Sequence, residues 1–308
     1  MPRDAGAFTN ELFAKIASFN YAKRFPMLTS CMCTEAALTS GNMAEWAIKI
    51  KERPNHLHRK IWEWCFACEA LAERGMLRPG MKGLGFAVGT EPLTAVFAGM
   101  GARITATDLD FERAQEAGWT ETNEHASGYA QLNERGLCDP AEIERLVQFR
   151  FADMNDIGSE FDNQYDFVWS SCALEHLGSL QHGMQFIYNA MRCLKPGGYA
   201  VHTTEYNISS NEETIDSGPT VLYRKRDMEE VIQTLRAQGH HVDVDWNEGQ
   251  GYADQTIDLP PYKQEVHLRL QIQQYVVTSF GIIVQKGTGN VEQPKGRLMR
   301  RLSSLFGR

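Results

Sequence analysis

The residues able to do chemistry fall in four short stretches of this 308-residue chain. The first runs Gly83-Leu-Gly85-Phe-Ala87-Val-Gly89-Thr-Glu91-Pro92, and the second, Arg103-Ile-Thr-Ala-Thr-Asp108, is an apolar run that ends on an acid. Small residues at 85, 87 and 89 let the backbone approach a ligand closely, and an acid at the end of the next strand can bind both hydroxyls of a ribose. Alone, this pair of stretches describes a nucleoside site and leaves nicotinamide dinucleotide and S-adenosylmethionine both open. The third stretch, Phe151-Ala-Asp153-Met154, sets an acceptor beside a pliant apolar side chain that could pack on a base. The fourth, Ser170-Ser171-Cys172-Ala-Leu-Glu175-His176, is followed at a distance by His202 and Glu205. A neutral imidazole has a pKa suited to taking a hydroxyl proton near pH 7, so His176 leads the candidate bases, with Glu175 and Glu205 behind it. His202 falls inside a strand pattern and reads as structural.

The order of the motifs decides between the cofactors. Tyr165-Asp-Phe-Val-Trp-Ser-Ser-Cys-Ala-Leu-Glu-His-Leu177 is followed by a helical stretch and then by Leu194-Lys-Pro-Gly-Gly-Tyr-Ala-Val-His-Thr-Thr-Glu205. This succession resembles the class I S-adenosylmethionine-dependent methyltransferases over about residues 80–205. The resemblance implies S-adenosylmethionine as cofactor and Asp153 as the acceptor for the adenine amine. Gly85, Ala87 and Gly89 then form the close-approach loop, Asp108 holds the ribose, and Met154 packs on the base. Ser170 and Ser171 lie beside the methionine moiety. The chain departs from the family at three places: Gly85 replaces an acid, Ala87 replaces the first loop glycine, and Glu91 replaces the third. Glu91 either meets the cofactor's amino group or faces water. Glu175-His176 and Glu205-Tyr206-Asn207 also resemble parts of the metal-dependent small-RNA 3′-terminal 2′-O-methyltransferases, in which two glutamates and two histidines bind a divalent ion. A metal would then fall to Glu175, His176 and Glu205. Cys172 stands where that family has its first glutamate, and His125 or His267 could complete the set only by tertiary coincidence.

These side chains need a scaffold. Strands are expected at about 83–87, 102–107, 147–152, 165–170, 198–204, 240–245 and 275–285, and helices near 57–77, 92–100, 140–147, 180–194 and 226–238. Their alternation predicts an α/β fold with a doubly wound, seven-stranded Rossmann-like sheet, its last two strands forming an antiparallel hairpin. Residues 1–79 read as a helical extension forming a lid, 80–290 as the methyltransferase domain, and 291–308 as a tail. Trp62 and Trp64 read as core. Two insertions, 111–140 with Trp119, Asn123, His125 and Tyr129, and 246–265 with Tyr252, Pro260, Pro261 and Tyr262, have the length of binding loops.

Composition sets the outer bounds. The net charge is −8, yet residues 295–308 hold five basic residues and no acid, so the remainder carries 26 basic against 39 acidic residues. An acidic body argues against a broad nucleic-acid surface. The seven cysteines fit a reducing cytoplasm. Cys31, Cys33, Cys65 and Cys68 could form a zinc site, but core packing explains the second pair. Leu298, Met299, Leu302, Leu305 and Phe306 share one helical face opposite arginines, the pattern of a helix resting on an anionic inner membrane face. The expected activity is O-methylation of a sugar or glycan hydroxyl. A small-molecule natural product is the next acceptor, then the 2′-hydroxyl of an RNA end, and a cofactor-binding scaffold is the non-enzyme alternative.

Overall fold

The computed structural model describes residues 27–110 and 129–289. Its strands are β1 (Cys31–Met32), β2 (Lys82–Gly85), β3 (Arg103–Asp108), β4 (Val147–Phe151), β5 (Tyr165–Ser170), β6 (Gly178–Ser179), β7 (Leu194–Asn207), β8 (Ser217–Gly218), β9 (Ile257–Asp258), β10 (Arg269–Ile272) and β11 (Tyr275–Gln285). The helices are α1 (Glu35–Leu38), α2 (Gly41–Lys49), α3 (Arg59–Glu73), α4 (Leu93–Gly99), α5 (Tyr129–Leu132), α6 (Pro140–Leu146), α7 (Leu180–Cys193), α8 (Lys225–Ala237) and α9 (Tyr252–Gln255). Trp119, Asn123, His125 and the basic tail at 291–308 lie outside the described residues, as do residues 1–26.

One mixed sheet runs β4-β3-β2-β5-β7-β11-β10-β9, with β1 also paired to β11. The pairings from β4 to β7 are parallel, and β11 returns antiparallel to β7 from Val277–Asn207 to Gln285–Tyr199. The doubly wound architecture is as expected, with nine strands instead of seven. Central strands are apolar on both faces because both are covered: Phe167, Val168 and Trp169 in β5 are all buried. Helix α8 covers one face through Met228, Val231, Ile232 and Leu235, an i, i+3, i+4, i+7 stripe. On the other face Phe97 of α4 packs edge-on to Phe167 and Trp169, at 5.8 and 5.0 Å between ring centres.

The expected strand at 240–245 does not form. The Ser30 side chain bonds to the Ile283 backbone N–H at 3.0 Å, while Ser30's own backbone bonds to Asp243 and Asp245. Ser30 therefore wedges this run away from β11, leaving only single bridges at His241 and Val244. The terminal hairpin is β10–β11, and β1 and β10 occupy successive stretches of β11's outer edge.

Helix α3 belongs to the core: every residue from Ile61 to Leu71 is buried, including Glu63 and Glu69. Its start is fixed by the His58 imidazole, which accepts from the Lys60 backbone N–H at 3.2 Å and stacks on His267 at 4.7 Å. Arg59 and Lys60 are thereby set in the first turn of a buried helix. No described helix is long and apolar enough to cross a membrane.

Candidate active site

A cavity of about 630 Å³ opens beyond the carboxyl ends of β2, β3, β4 and β5. Its lining brings together Ala87, Gly89, Glu91, Asp108, Asp153, Met154, Ser171 and His176 from separate sequence stretches. The loop after β2 turns on two left-handed residues, Ala87 (φ +46°) and Gly89 (φ +49°). Asp108 accepts from the Gly89 N–H at 3.1 Å and from the Leu109 N–H at 2.9 Å, which fixes its carboxylate beside that loop. Asp153 accepts from the Asn155 N–H at 2.8 Å in the turn after β4, and Met154 is buried next to it.

Two expected cofactor residues do not reach the cavity. A Cβ at Gly85 would fall 2.3 Å from Trp169 Cζ2 and 2.5 Å from Val88 Cγ1. The glycine makes room for that indole. Ser170 is buried and its hydroxyl pairs with His202 Nδ1 at 2.8 Å. His202 is a core imidazole: burial pushes its pKa down to about 3, and Phe186 packs edge-on to it at 5.2 Å.

The rest of the lining includes Lys60 and Arg135, which the sequence reading does not name, together with Trp64, expected in the core, and Cys172, expected only as the replacement for a metal-binding glutamate. Lys60 and Trp64 come from α3, Arg135 from the segment after α5, and Cys172 from the turn after β5. Arg135 lies over the Trp64 ring at 4.8 Å and pairs with Glu52 at 2.6 Å. Lys60 Nζ stands 3.5 Å from Glu91 Oε1. Burial raises the Glu91 carboxyl to about 7 against the opposing pull of Lys60. The available signal was an Arg59-Lys60-x-x-Glu63 set inside an otherwise apolar helix, because buried charges demand partners.

Behind this wall lies a buried charge array. Arg59 donates to Glu63 at 3.0 Å, to Ser279 at 3.2 Å and, through its second nitrogen, to Glu205. Glu63 also accepts from Thr203 at 3.0 Å, from Ser279, and from the Cys172 thiol at 3.2 Å. Burial alone would raise Glu63, but Lys60 and then Arg59 hold it below the usual carboxylate range. Glu205 goes the other way: burial lifts it to about 7, with Arg59 opposing and Glu175 reinforcing. Glu175 is fully buried and accepts from Thr204 at 3.0 Å. Its Oε1 and the Oε2 of Glu205 have no hydrogen-bond partner among the described residues.

The metal set expected from sequence is not assembled. Cys172, Glu175 and Glu205 bring ligand atoms within 4.8 Å of one another, and His176 is not part of that group. The His176 Nδ1 instead lies 2.8 Å from the Pro219 carbonyl. Arg59 already places a fixed positive charge against Glu205 and 3.5 Å from the Cys172 sulfur. These residues do not fit an ion held by two glutamates and two histidines; the cation serving the acids is Arg59. Of the other candidates, Glu175 and Glu205 sit behind the cavity wall and His176 on it. Tyr252 and Tyr262 of the 246–265 insertion do not line the cavity; Tyr262 packs on His267 and donates to the Gln271 carbonyl. Cys65 and Cys68 are buried in the body of α3.

A mainly parallel, doubly wound sheet with a cavity at the carboxyl edge of its parallel strands defines the Rossmann-like class of folds. Within that class, residues 84–202 match the family model described as a methyltransferase domain. Over that stretch the chain is similar to S-adenosylmethionine-dependent methyltransferases. No curated protein matches it. Solved structures similar to it include a SAM-dependent methyltransferase from Aquifex aeolicus, 16% identical, with a TM-score of 0.39 over 70% of this chain and 88% of that one. Another is the 1,6-didemethyltoxoflavin-N1-methyltransferase of Burkholderia thailandensis, 16% identical, with a TM-score of 0.43 over 70% and 74% of the two chains. A third is the magnesium protoporphyrin IX methyltransferase of Synechocystis, 13% identical, with a TM-score of 0.41 over 70% and 78%.

Proposed function

We propose that the cavity holds S-adenosylmethionine with its ribose on Asp108, its adenine between Asp153 and Met154, and its methionine end toward Glu91 and Ser171. The acceptor would enter on the Cys172–His176 side and present a hydroxyl. The observation that carries this reading is the convergence of the 87–91 loop, Asp108 and Asp153–Met154 on one cavity that His176 also lines.

The cofactor supplies an electrophilic methyl on a sulfonium. The acceptor oxygen would displace the demethylated cofactor from that carbon. The protein's part is to align the two and take the proton. The Pro219 carbonyl can only accept, so His176 carries its hydrogen on Nδ1 and takes the acceptor's proton on Nε2. Burial, Arg59 and the distance behind the wall make Glu205 and Glu175 supports of the site in this reading.

For the acceptor we favour a sugar or glycan hydroxyl. Arg135 and His176 line the cavity and offer polar groups that a sugar's hydroxyls can bond. The same wall suits a small aromatic natural product, which is the second reading. The acidic body remains the argument against RNA ends.

Calorimetry with S-adenosylmethionine tests the cofactor assignment. Asp108→Ala should weaken binding by ~1.5–3 kcal/mol, the usual worth of hydrogen bonds to a charged group. Unchanged affinity in a folded variant removes Asp108 from the ribose site. Turnover on a panel of sugars and phenols then separates the two acceptor readings.

A further inference from the structure

The pairing of Lys60 with Glu91 is unusual for its position. Glu91 follows the close-approach loop, where a lone carboxylate would repel the carboxylate of the cofactor's methionine end. The first turn of α3 brings an ammonium to it, and both side chains line the cavity. At 3.5 Å the contact is looser than a charge-assisted hydrogen bond, which runs about 2.7–2.9 Å. Two further donors, Trp64 Nε1 and Ser171 Oγ, are buried beside Glu91, close enough to lower its pKa.

We propose that Lys60 and Glu91 form a clamp for a zwitterion: Lys60 takes the α-carboxylate of the cofactor's amino-acid end and Glu91 takes its α-ammonium. This rests on the cavity being the cofactor site. The acid and the ammonium face one ligand that carries both opposite charges a few bonds apart, so each finds a better partner in the ligand than in the other. The Trp64 N–H and the Ser171 O–H add neutral donors for the same carboxylate. The clamp gives α3, which lies outside the 84–202 methyltransferase match, a share in cofactor selectivity. It also supplies a reason for an acid at 91.

The test compares S-adenosylhomocysteine with 5′-methylthioadenosine, which keeps the nucleoside and the thioether but lacks the amino-acid end. Calorimetry on the full chain should show Lys60→Met weakening S-adenosylhomocysteine at least tenfold while methylthioadenosine changes less than twofold. Glu91→Gln, nearly isosteric, should give the same split, and Lys60→Arg should restore most of the affinity. Equal weakening of both ligands, or no weakening of either, overturns the clamp. The wild type's affinity for methylthioadenosine reports separately on the nucleoside site; no binding of either ligand by the wild type overturns both readings together.

Discussion

The two walls of the cavity are built by opposite means. On the β2–β3–β4 wall, ligand-facing groups are set by backbone within a few residues: the Gly89 and Leu109 N–H groups orient Asp108, and the Asn155 N–H orients Asp153. On the facing wall, Lys60, Cys172 and the array behind them are held by side chains from residues 59–63, 172–175, 203–205 and 279. The first wall needs only short stretches of chain to be right. The second needs four distant segments to arrive together, and it fails as a unit if one charge is missing. A substitution on the first wall should therefore register in ligand affinity, and one on the second in stability and its pH dependence.

Arg59→Met is the sharpest way to break the contrast. It leaves Glu63 and Glu205 without their shared guanidinium, and stranding a buried charge typically costs about 3–5 kcal/mol. Denaturant unfolding should show a loss of that order near neutral pH. A loss below about 1 kcal/mol would mean that the array is not what holds the second wall.

The next effect is smaller and depends on pH. Glu205 is raised to about 7, first by burial and then by Glu175 against Arg59. An unfolded glutamate titrates near ~4.3. A raised folded pKa means that the proton-linked stability is present below the unfolded value and is lost as pH rises through about 7. Glu205→Gln, a permanent mimic of the protonated side chain, should gain stability relative to the wild type on going from pH 5 to pH 8. The comparison must be a difference, because His58, lowered to about 4 chiefly by burial, and His202, lowered to about 3 by burial, act with the opposite sign as pH falls below their ordinary range. A constant gap between the two proteins across that interval would remove Glu205 as a titrating member of the array.

The same contrast explains what the sequence could reveal. The strand–loop–strand from Lys82 to Asp108 and the Asp153–Met154 turn are legible because the residues that make each feature are neighbours in the chain. The parallel sheet follows from the alternation of strands and helices for the same reason. The pattern at 240–245 points to an edge strand because nothing local reveals that Ser30 wedges into that place from the other end of the chain. The roles of Lys60 and Arg59 are not legible in the sequence because their partners Glu91 and Glu205 lie 31 and 146 positions away. His176 and Glu175 look like partners in sequence, but within one turn Glu175 meets the buried array while His176 lines the cavity and pairs with the Pro219 carbonyl.

Ala87→Gly is the smallest and most discriminating change, because it acts on the backbone-built wall. Ala87 holds a left-handed backbone, which costs a non-glycine residue roughly 1–2 kcal/mol. Glycine removes that strain but adds about 0.5–1 kcal/mol of unfolded-chain entropy. The balance should favour the variant by about 0.5–1 kcal/mol, a rise in melting temperature of roughly 1–3 °C for a chain of this size. Cofactor affinity should stay within about threefold, since the Asp108 carboxylate is held by Gly89 and Leu109 and not by the Ala87 side chain. Ala87 also touches the apolar cluster that holds Phe86 and Met154. Should the glycine variant melt lower than the wild type, the methyl group's packing outweighs the strain, and the first wall would depend on side-chain contacts much as the second does.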